Sequence, residues 1–313
     1  MAAVTTSATQ EKNSAALTSV IAAVGLTVFK IIVGIATGSL GILAEAAHSG
    51  LDLVAALVTF FAVRISGRPA DATHHYGHGK VENLSALFET LLLLATCVWI
   101  IYESVQRLFF KTVEVEISFW AFAVMAVSII IDYSRSKVLA RAAQKYNSQA
   151  LEADALHFST DIWSSSVVIL GLTAVLLAKT FPALYFLHKA DAVAALGVAG
   201  IVIFISAQLG KRTIQALLDS SPTGIVEKVY AAAISVTGVV YCHNIRVRNS
   251  GADLFVDMHI GVPETMQITK AHELAGKVEK AVQKVAPGVD VTIHEEPAKP
   301  SQQPAPAKSR RGR

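Results

Sequence analysis

Charge is scarce in this chain. Of 313 residues only 16% are charged, against about 25% in an ordinary soluble domain, while 53% are hydrophobic and the mean hydropathy is +0.49. That balance excludes an ordinary soluble domain and places most of the chain in a bilayer. Cysteine is scarcer still: only Cys97 and Cys242 occur, which leaves no disulfide framework and no Cys-rich zinc motif. The net charge of +3 is small, and Lys308, Arg310, Arg311 and Arg313 crowd the end of the sequence, so the excess reads as a solvated basic tail and no nucleic-acid partner is expected. A His-Glu-x-x-His segment is also missing, since His272-Glu273 lacks its second histidine, and no enzyme activity is expected. The N-terminus has no basic stretch followed by a short apolar core and cleavage site, so the first apolar segment is expected to remain as a membrane helix.

What is present is apolar length. Six segments, at 15–38, 41–63, 84–106, 117–138, 155–178 and 190–210, each approach the roughly 20 residues that cross a bilayer. Lys30, Glu45, Glu89, Glu103, Asp132 and Asp191 interrupt or border them, as residues at helix ends or in a bundle interior would. Basic residues concentrate after the second segment (Arg64, Arg68, Lys80), the fourth (Arg135, Lys137, Arg141, Lys145) and the sixth (Lys211, Arg212), which puts these loops and both termini in the cytoplasm. From about Asp219 the texture becomes that of a small soluble α+β domain. A helix opens at Pro222 and Gly224, strands are expected at 239–248 and 253–262 around Asn249-Ser250-Gly251, a helix at 268–285 and a last strand at 289–294. The resulting fold class is a multi-pass α-helical membrane protein with six transmembrane helices and a C-terminal cytoplasmic α+β domain of ferredoxin-like, metallochaperone-like type. Its divisions are a cytoplasmic tail at 1–13, the membrane domain at 14–212, the α+β domain at 213–296 and a disordered basic tail at 297–313.

Two copies of His-x-x-x-Asp lie inside apolar stretches, His48 to Asp52 and His157 to Asp161. Residues four apart lie one above the other on a helix face, so each pair can offer an imidazole nitrogen and a carboxylate oxygen to one point. Two such helices face to face supply four ligands, a set suited to a tetrahedral divalent metal such as Zn²⁺. Two carboxylates would also cancel the ion's charge in a low-dielectric bundle. Elsewhere, the loop Pro69 to Lys80 holds Asp71, His74, His75 and His78, where local chelation is sterically easy. In the soluble domain His243, His259, His272 and His294 fall on separate elements, followed by Glu295 and Glu296. Spacing alone reads those four as ordinary surface or strand residues.

The segments Ala44 to Asp52, Tyr76-Gly77-His78-Gly79-Lys80 and Ala153 to Asp161 resemble the cation diffusion facilitator family, proton-coupled exporters of Zn²⁺ and related divalent metals. The likeness runs from about Ser14 to Glu296. It implies a transport site of His48, Asp52, His157 and Asp161, and a loop site of Asp71, His74 and His78 with His75 outside the pattern. It further implies a soluble-domain site drawing on His243, His259, His272, His294, Glu295 and Glu296, which reverses the reading from spacing. It also implies a homodimer paired through the cytoplasmic domains, Zn²⁺ both as cargo and as a structural or regulatory ion, and protons as counter-ion. Position 48 is His where several bacterial relatives carry Asp, which trades an anionic oxygen for a neutral nitrogen and favours Zn²⁺ over Mn²⁺. The membrane expected is a bacterial inner or plasma membrane. Export of Fe²⁺, Co²⁺, Cd²⁺ or Mn²⁺ by the same fold, or a metal-responsive membrane scaffold, are the competing readings.

Overall fold

The computed structural model describes residues 2–110, 119–180 and 190–298. They fall into two compact units, Met1–Ile214 and Gln215–Arg313.

The first unit is a bundle of six helices: α1 (Ala2–Thr37), α2 (Leu40–Ser66), α3 (Lys80–Phe109), α4 (Phe119–Tyr146), α5 (Gln149–Thr180) and α6 (Ala190–Leu217), the last running on into the second unit. No proline falls within any of them. The chain breaks where the local chemistry demands it. Gly38 takes a left-handed φ of 66° to end α1, and the Ser39 hydroxyl then accepts the Ile42 N–H at 3.4 Å to start α2. Asn147, with φ of 49°, and Ser148, which accepts the Leu151 N–H at 3.4 Å, do the same between α4 and α5. α1 packs on α2 and α4, α5 packs on α4, α3 and α2, and α2 touches α3.

The bundle is inverted relative to a soluble protein. Its outer surface carries Ile21, Ile35, Leu51, Phe61, Trp99 and Phe204, while Lys30, Asp52, Glu82, Glu89, Asp132, Arg135, Asp154 and His157 are buried. Only a solvent of hydrocarbon makes that arrangement stable, with each interior charge held by partners. Among the described residues, four helices are long and apolar enough to cross a membrane: Ala8–Thr37, Leu40–Ser66, Lys80–Gln106 and Ala195–Leu217. α4 and α5 concentrate the charges instead, with Asp132, Arg135, Lys137, Arg141 and Lys145 on one and Glu152, Asp154 and Asp161 on the other.

Two sequence expectations change here. Residues 2–13, read as a tail, continue α1, because nothing in them breaks a helix and Lys12 is anchored. Its Nζ lies 2.6 Å from Glu82 Oε1, which also accepts from Ser66 Oγ at 2.7 Å, while Ser148 Oγ donates to the other Glu82 oxygen. Likewise Arg135, counted as a loop cation, is buried inside α4. It donates to Asp132 Oδ1 at 3.2 Å and to Ser19 Oγ at 3.2 and 3.3 Å, and its guanidinium lies 3.4 Å from the centroid of the Phe158 ring.

The second unit runs α7 (Ile225–Ile234), β1 (Tyr241–Ser250), β2 (Asp253–Pro263), α8 (Ile268–Val285) and β3 (Asp290–Ala298). Its sheet order is β1-β2-β3, with β1 antiparallel to β2 and β3 parallel to it. The parallel pair requires a crossover, which α8 supplies. The described elements therefore make the ferredoxin-like succession without its first strand. Leu274, Ala275, Val278 and Val282 of α8 and Val229 and Ala233 of α7 cover one face of the sheet, formed by Cys242, Val247, Val256, Met258 and Ile260. A Cβ at Gly261 would run into the Tyr241 ring, so that strand pairing requires glycine. Pro297 and Ala298, read as tail, extend β3 on the edge of the sheet, where a missing N–H is tolerated. Residues 299–313, the rest of the expected tail, lie outside the described residues.

Burial under α8 pushes the Cys242 thiol up to about 11. The reactive thiolate at pH 8 then falls from roughly one in four for a free cysteine to about one in a thousand. In a Cys97→Ser background, disulfide-exchange labelling of the folded protein at pH 8 is expected to be about a hundredfold slower than in denaturant. It should climb about tenfold per pH unit toward pH 11. Equal rates folded and unfolded would show the thiol to be open.

Candidate functional site

The two His-x-x-x-Asp pairs meet across the α2–α5 contact. His48 Nε2 is 3.9 Å from Asp52 Oδ1 on its own helix and 3.9 Å from Asp161 Oδ1 opposite. His157 Nε2 is 3.7 Å from Asp161 Oδ2 on its own helix and 3.3 Å from Asp52 Oδ1 opposite. Each carboxylate thus touches both imidazoles, and the four groups close a ring. A tetrahedral ion with bonds of about 2.0–2.2 Å separates its ligands by about 3.3–3.6 Å, and the four nitrogen–oxygen contacts, at 3.3 to 3.9 Å, come within a few tenths of an ångström of that, His48 and His157 meeting different oxygens of Asp161. Atoms of His48, Asp52 and Asp161 all lie within 4.8 Å of one another. The ring is not symmetric in access: the His48 side chain is 42% exposed and that of His157 only 7%.

Two further charged groups stand against the ring. Lys30, buried on α1, donates at 2.8 Å to the Oγ of Ser49, the residue next to His48, and pairs with Glu45 Oε2 at 3.3 Å. Glu89 of α3 lies behind His157, its Oε2 3.3 Å from His157 Nδ1 and its Oε1 accepting from Thr59 Oγ1 at 3.1 Å. Sequence reading flagged Glu89 only as a charge interrupting an apolar run. Its position inside such a run was the available signal, but helix pairing decides which partner it meets.

The loop between α2 and α3 gathers Asp71, His74 and His78. Asp71 Oδ1 accepts the backbone N–H groups of Thr73 at 2.9 Å and His74 at 2.7 Å and the Thr73 hydroxyl at 2.9 Å, which together hold its carboxyl well below the usual carboxylate range. His74 Nδ1 and His78 Nε2 each come within 3.3 Å of one of the Asp71 oxygens, and their tilted rings lie 4.4 Å apart. His75 turns away to the Ala72 carbonyl at 3.0 Å.

In the second unit, strand register does the gathering. His243 pairs with His259 across β1–β2 and His259 with His294 across β2–β3, so the three form a row on the face opposite α8. Their rings lie 5.2 and 4.8 Å apart. Glu296, two residues along β3 and so on the same face, meets His259 Nδ1 at 2.6 Å, His243 Nε2 at 3.0 Å and His294 Nε2 at 3.9 Å. The contacts with His243 and His259 hold its carboxyl below the ordinary value. The other two residues of the expected set are not brought in. Strand alternation turns Glu295 away from the row, and His272 is exposed on α8, which packs against the other face.

Residues 16–218 match the cation efflux transmembrane domain, and 222–298 match the cytoplasmic domain of cation efflux proteins. The chain is 30% identical to the cation-efflux pump FieF of Yersinia enterocolitica over 290 residues, covering 91% of this chain and 92% of that one. With FieF of Salmonella arizonae the identity is 31% over the same extent. Among solved structures, the zinc form of CzrB aligns with 25% of this chain and 91% of its own at 28% identity, with a TM-score of 0.24. The paired helices, the histidine-bearing loop and the cytoplasmic α+β unit are thus parts of one known assembly: the chain belongs to the cation diffusion facilitator family, membrane transporters that carry out cation efflux and are not enzymes.

Proposed function

We propose that the protein exports Zn²⁺ from the cytoplasm in exchange for protons, by alternating access of a site made of His48, Asp52, His157 and Asp161. The closed ring of two imidazoles and two carboxylates between α2 and α5 carries this reading. The donor set suits zinc, and two carboxylates neutralise a divalent ion where the surrounding dielectric is low. An imidazole nitrogen cannot hold a proton and a metal ion together, so loading the site releases protons and protonation ejects the ion. All six helices of the first unit span the bilayer in this reading, both termini face the cytoplasm, and the membrane is a bacterial inner membrane. Two copies pair through their cytoplasmic units. There His243, His259 and Glu296 gather two nitrogens and a carboxylate from three strands, with His294 a further 3.9 Å from Glu296, donors of the type that hold a resident Zn²⁺.

The test is Zn²⁺ uptake into proteoliposomes under a pH gradient, alongside Fe²⁺, Co²⁺, Cd²⁺ and Mn²⁺, for the parent and Asp161→Ala. Gradient-driven zinc uptake that disappears in the variant is expected. A parent protein inert toward all five ions would sink the reading, and preference for another ion would reassign the cargo.

A further inference from the structure

Glu89 is a buried carboxylate that the ring of four does not contain. Its side chain is fully enclosed, with 0% exposure. One oxygen is held by Thr59, whose hydroxyl also lies 3.4 Å from Ser85 Oγ. The other, Oε2, has no hydrogen-bond partner among the described residues, and neither does His157 Nδ1. These two unsatisfied atoms face each other at 3.3 Å. A carboxylate and an imidazole nitrogen that are both dry, both buried and that close together become a hydrogen bond with a small turn of the ring.

We infer that Glu89 is the positioning residue of the transport site, holding the proton of His157 on Nδ1 so that the Nε2 lone pair is presented to the transported divalent ion. The inference rests on the proposed function. The two nitrogens diverge from the ring, so Glu89, seated behind Nδ1, cannot itself ligate the ion that Nε2 faces; it acts through His157. A carboxylate in that place fixes both the tautomer and the ring angle and makes the ligating nitrogen more basic. Thr59 in turn fixes the carboxylate, so α2 and α3 contribute support to a ligand carried by α5. Among the described residues His48 has no such carboxylate partner: its two acidic contacts, Asp52 and Asp161, belong to the ring itself. One imidazole is therefore preset, and the other, the more exposed, is free to reorient.

Zinc uptake by the full-length protein in proteoliposomes, measured as initial rate against Zn²⁺ concentration, separates binding from turnover. Loss of a carboxylate behind a ligating histidine typically weakens metal affinity about 10- to 100-fold, so Glu89→Leu is expected to raise KM by that factor while maximal rate stays within about threefold. Glu89→Gln keeps an oxygen that can accept the Nδ1 proton and is expected within about threefold of the parent in KM. An unchanged KM in Glu89→Leu overturns the inference. So does a loss of maximal rate at constant KM, or a Gln variant as weak as Leu. If Glu89→Leu does not fold, Glu89→Ala is read by the same criteria. A parent protein that takes up no zinc refutes the transport reading itself, whereas a transporting parent with an indifferent Glu89→Leu refutes this inference alone.

Discussion

Replacing Asp52 with asparagine is expected to cut divalent-ion uptake by at least a hundredfold, the larger of two strong effects. A single oxygen, Asp52 Oδ1, faces both imidazoles, 3.3 Å from His157 Nε2 and 3.9 Å from His48 Nε2. Asparagine preserves the shape and one acceptor oxygen but removes a full negative charge. The loaded site would then carry an uncompensated positive charge inside the bundle, and an unpaired buried charge costs about 3–5 kcal/mol, or about two to nearly four orders of magnitude in affinity. Folding should survive, since the change is isosteric, and size-exclusion profiles of the purified variant will check that. Initial rates in proteoliposomes decide the matter: transport within tenfold of the parent would mean that Asp52 is not a ligand.

The second strong effect is on stability. Arg135→Leu is expected to lower the unfolding free energy by about 3–5 kcal/mol, because it leaves the Asp132 carboxylate buried without its only described ion-pair partner. It also strips the face of Phe158, which sits beside His157 in α5, of its cation. Removing both charges together costs less than removing one, so Asp132→Leu combined with Arg135→Leu should recover most of the loss. Melting curves of the single and the double variant in detergent test this. A single variant as stable as the parent would show that Asp132 finds another counter-charge.

How much of this could be read from the residues alone differs from place to place, for physical reasons. The ring of two histidines and two aspartates was legible because both halves are local: four-residue spacing on a helix puts His48 over Asp52 and His157 over Asp161 whatever the rest of the chain does. The loop cluster was legible for the same reason, since Asp71, His74 and His78 lie within eight residues. Glu89 was not, because its role depends on which face of α3 meets α5, and an apolar sequence packs many ways with similar hydropathy. Glu103, equally a charge near an apolar run, looks the same on paper. Arg135 misled because basic residues near an apolar segment usually mark its end, yet here the helix continues to Tyr146 and turns the guanidinium inward. In the cytoplasmic unit the strands were legible from alternation. Ending the last one at His294 hid the fact that alternation also separates Glu295 from Glu296, and distance from the row of histidines could not be known for His272 on its helix.

The register that builds that row has one more effect. On β2, His259 stands between Met258 and Ile260, both shut into the core. A slip of β2 by a single residue would drive an imidazole into hydrocarbon while casting a methionine and an isoleucine into water. The same alternation that aligns three histidines therefore proofreads the sheet: a strand misregistered by one residue loses its interior and its polar row in one step.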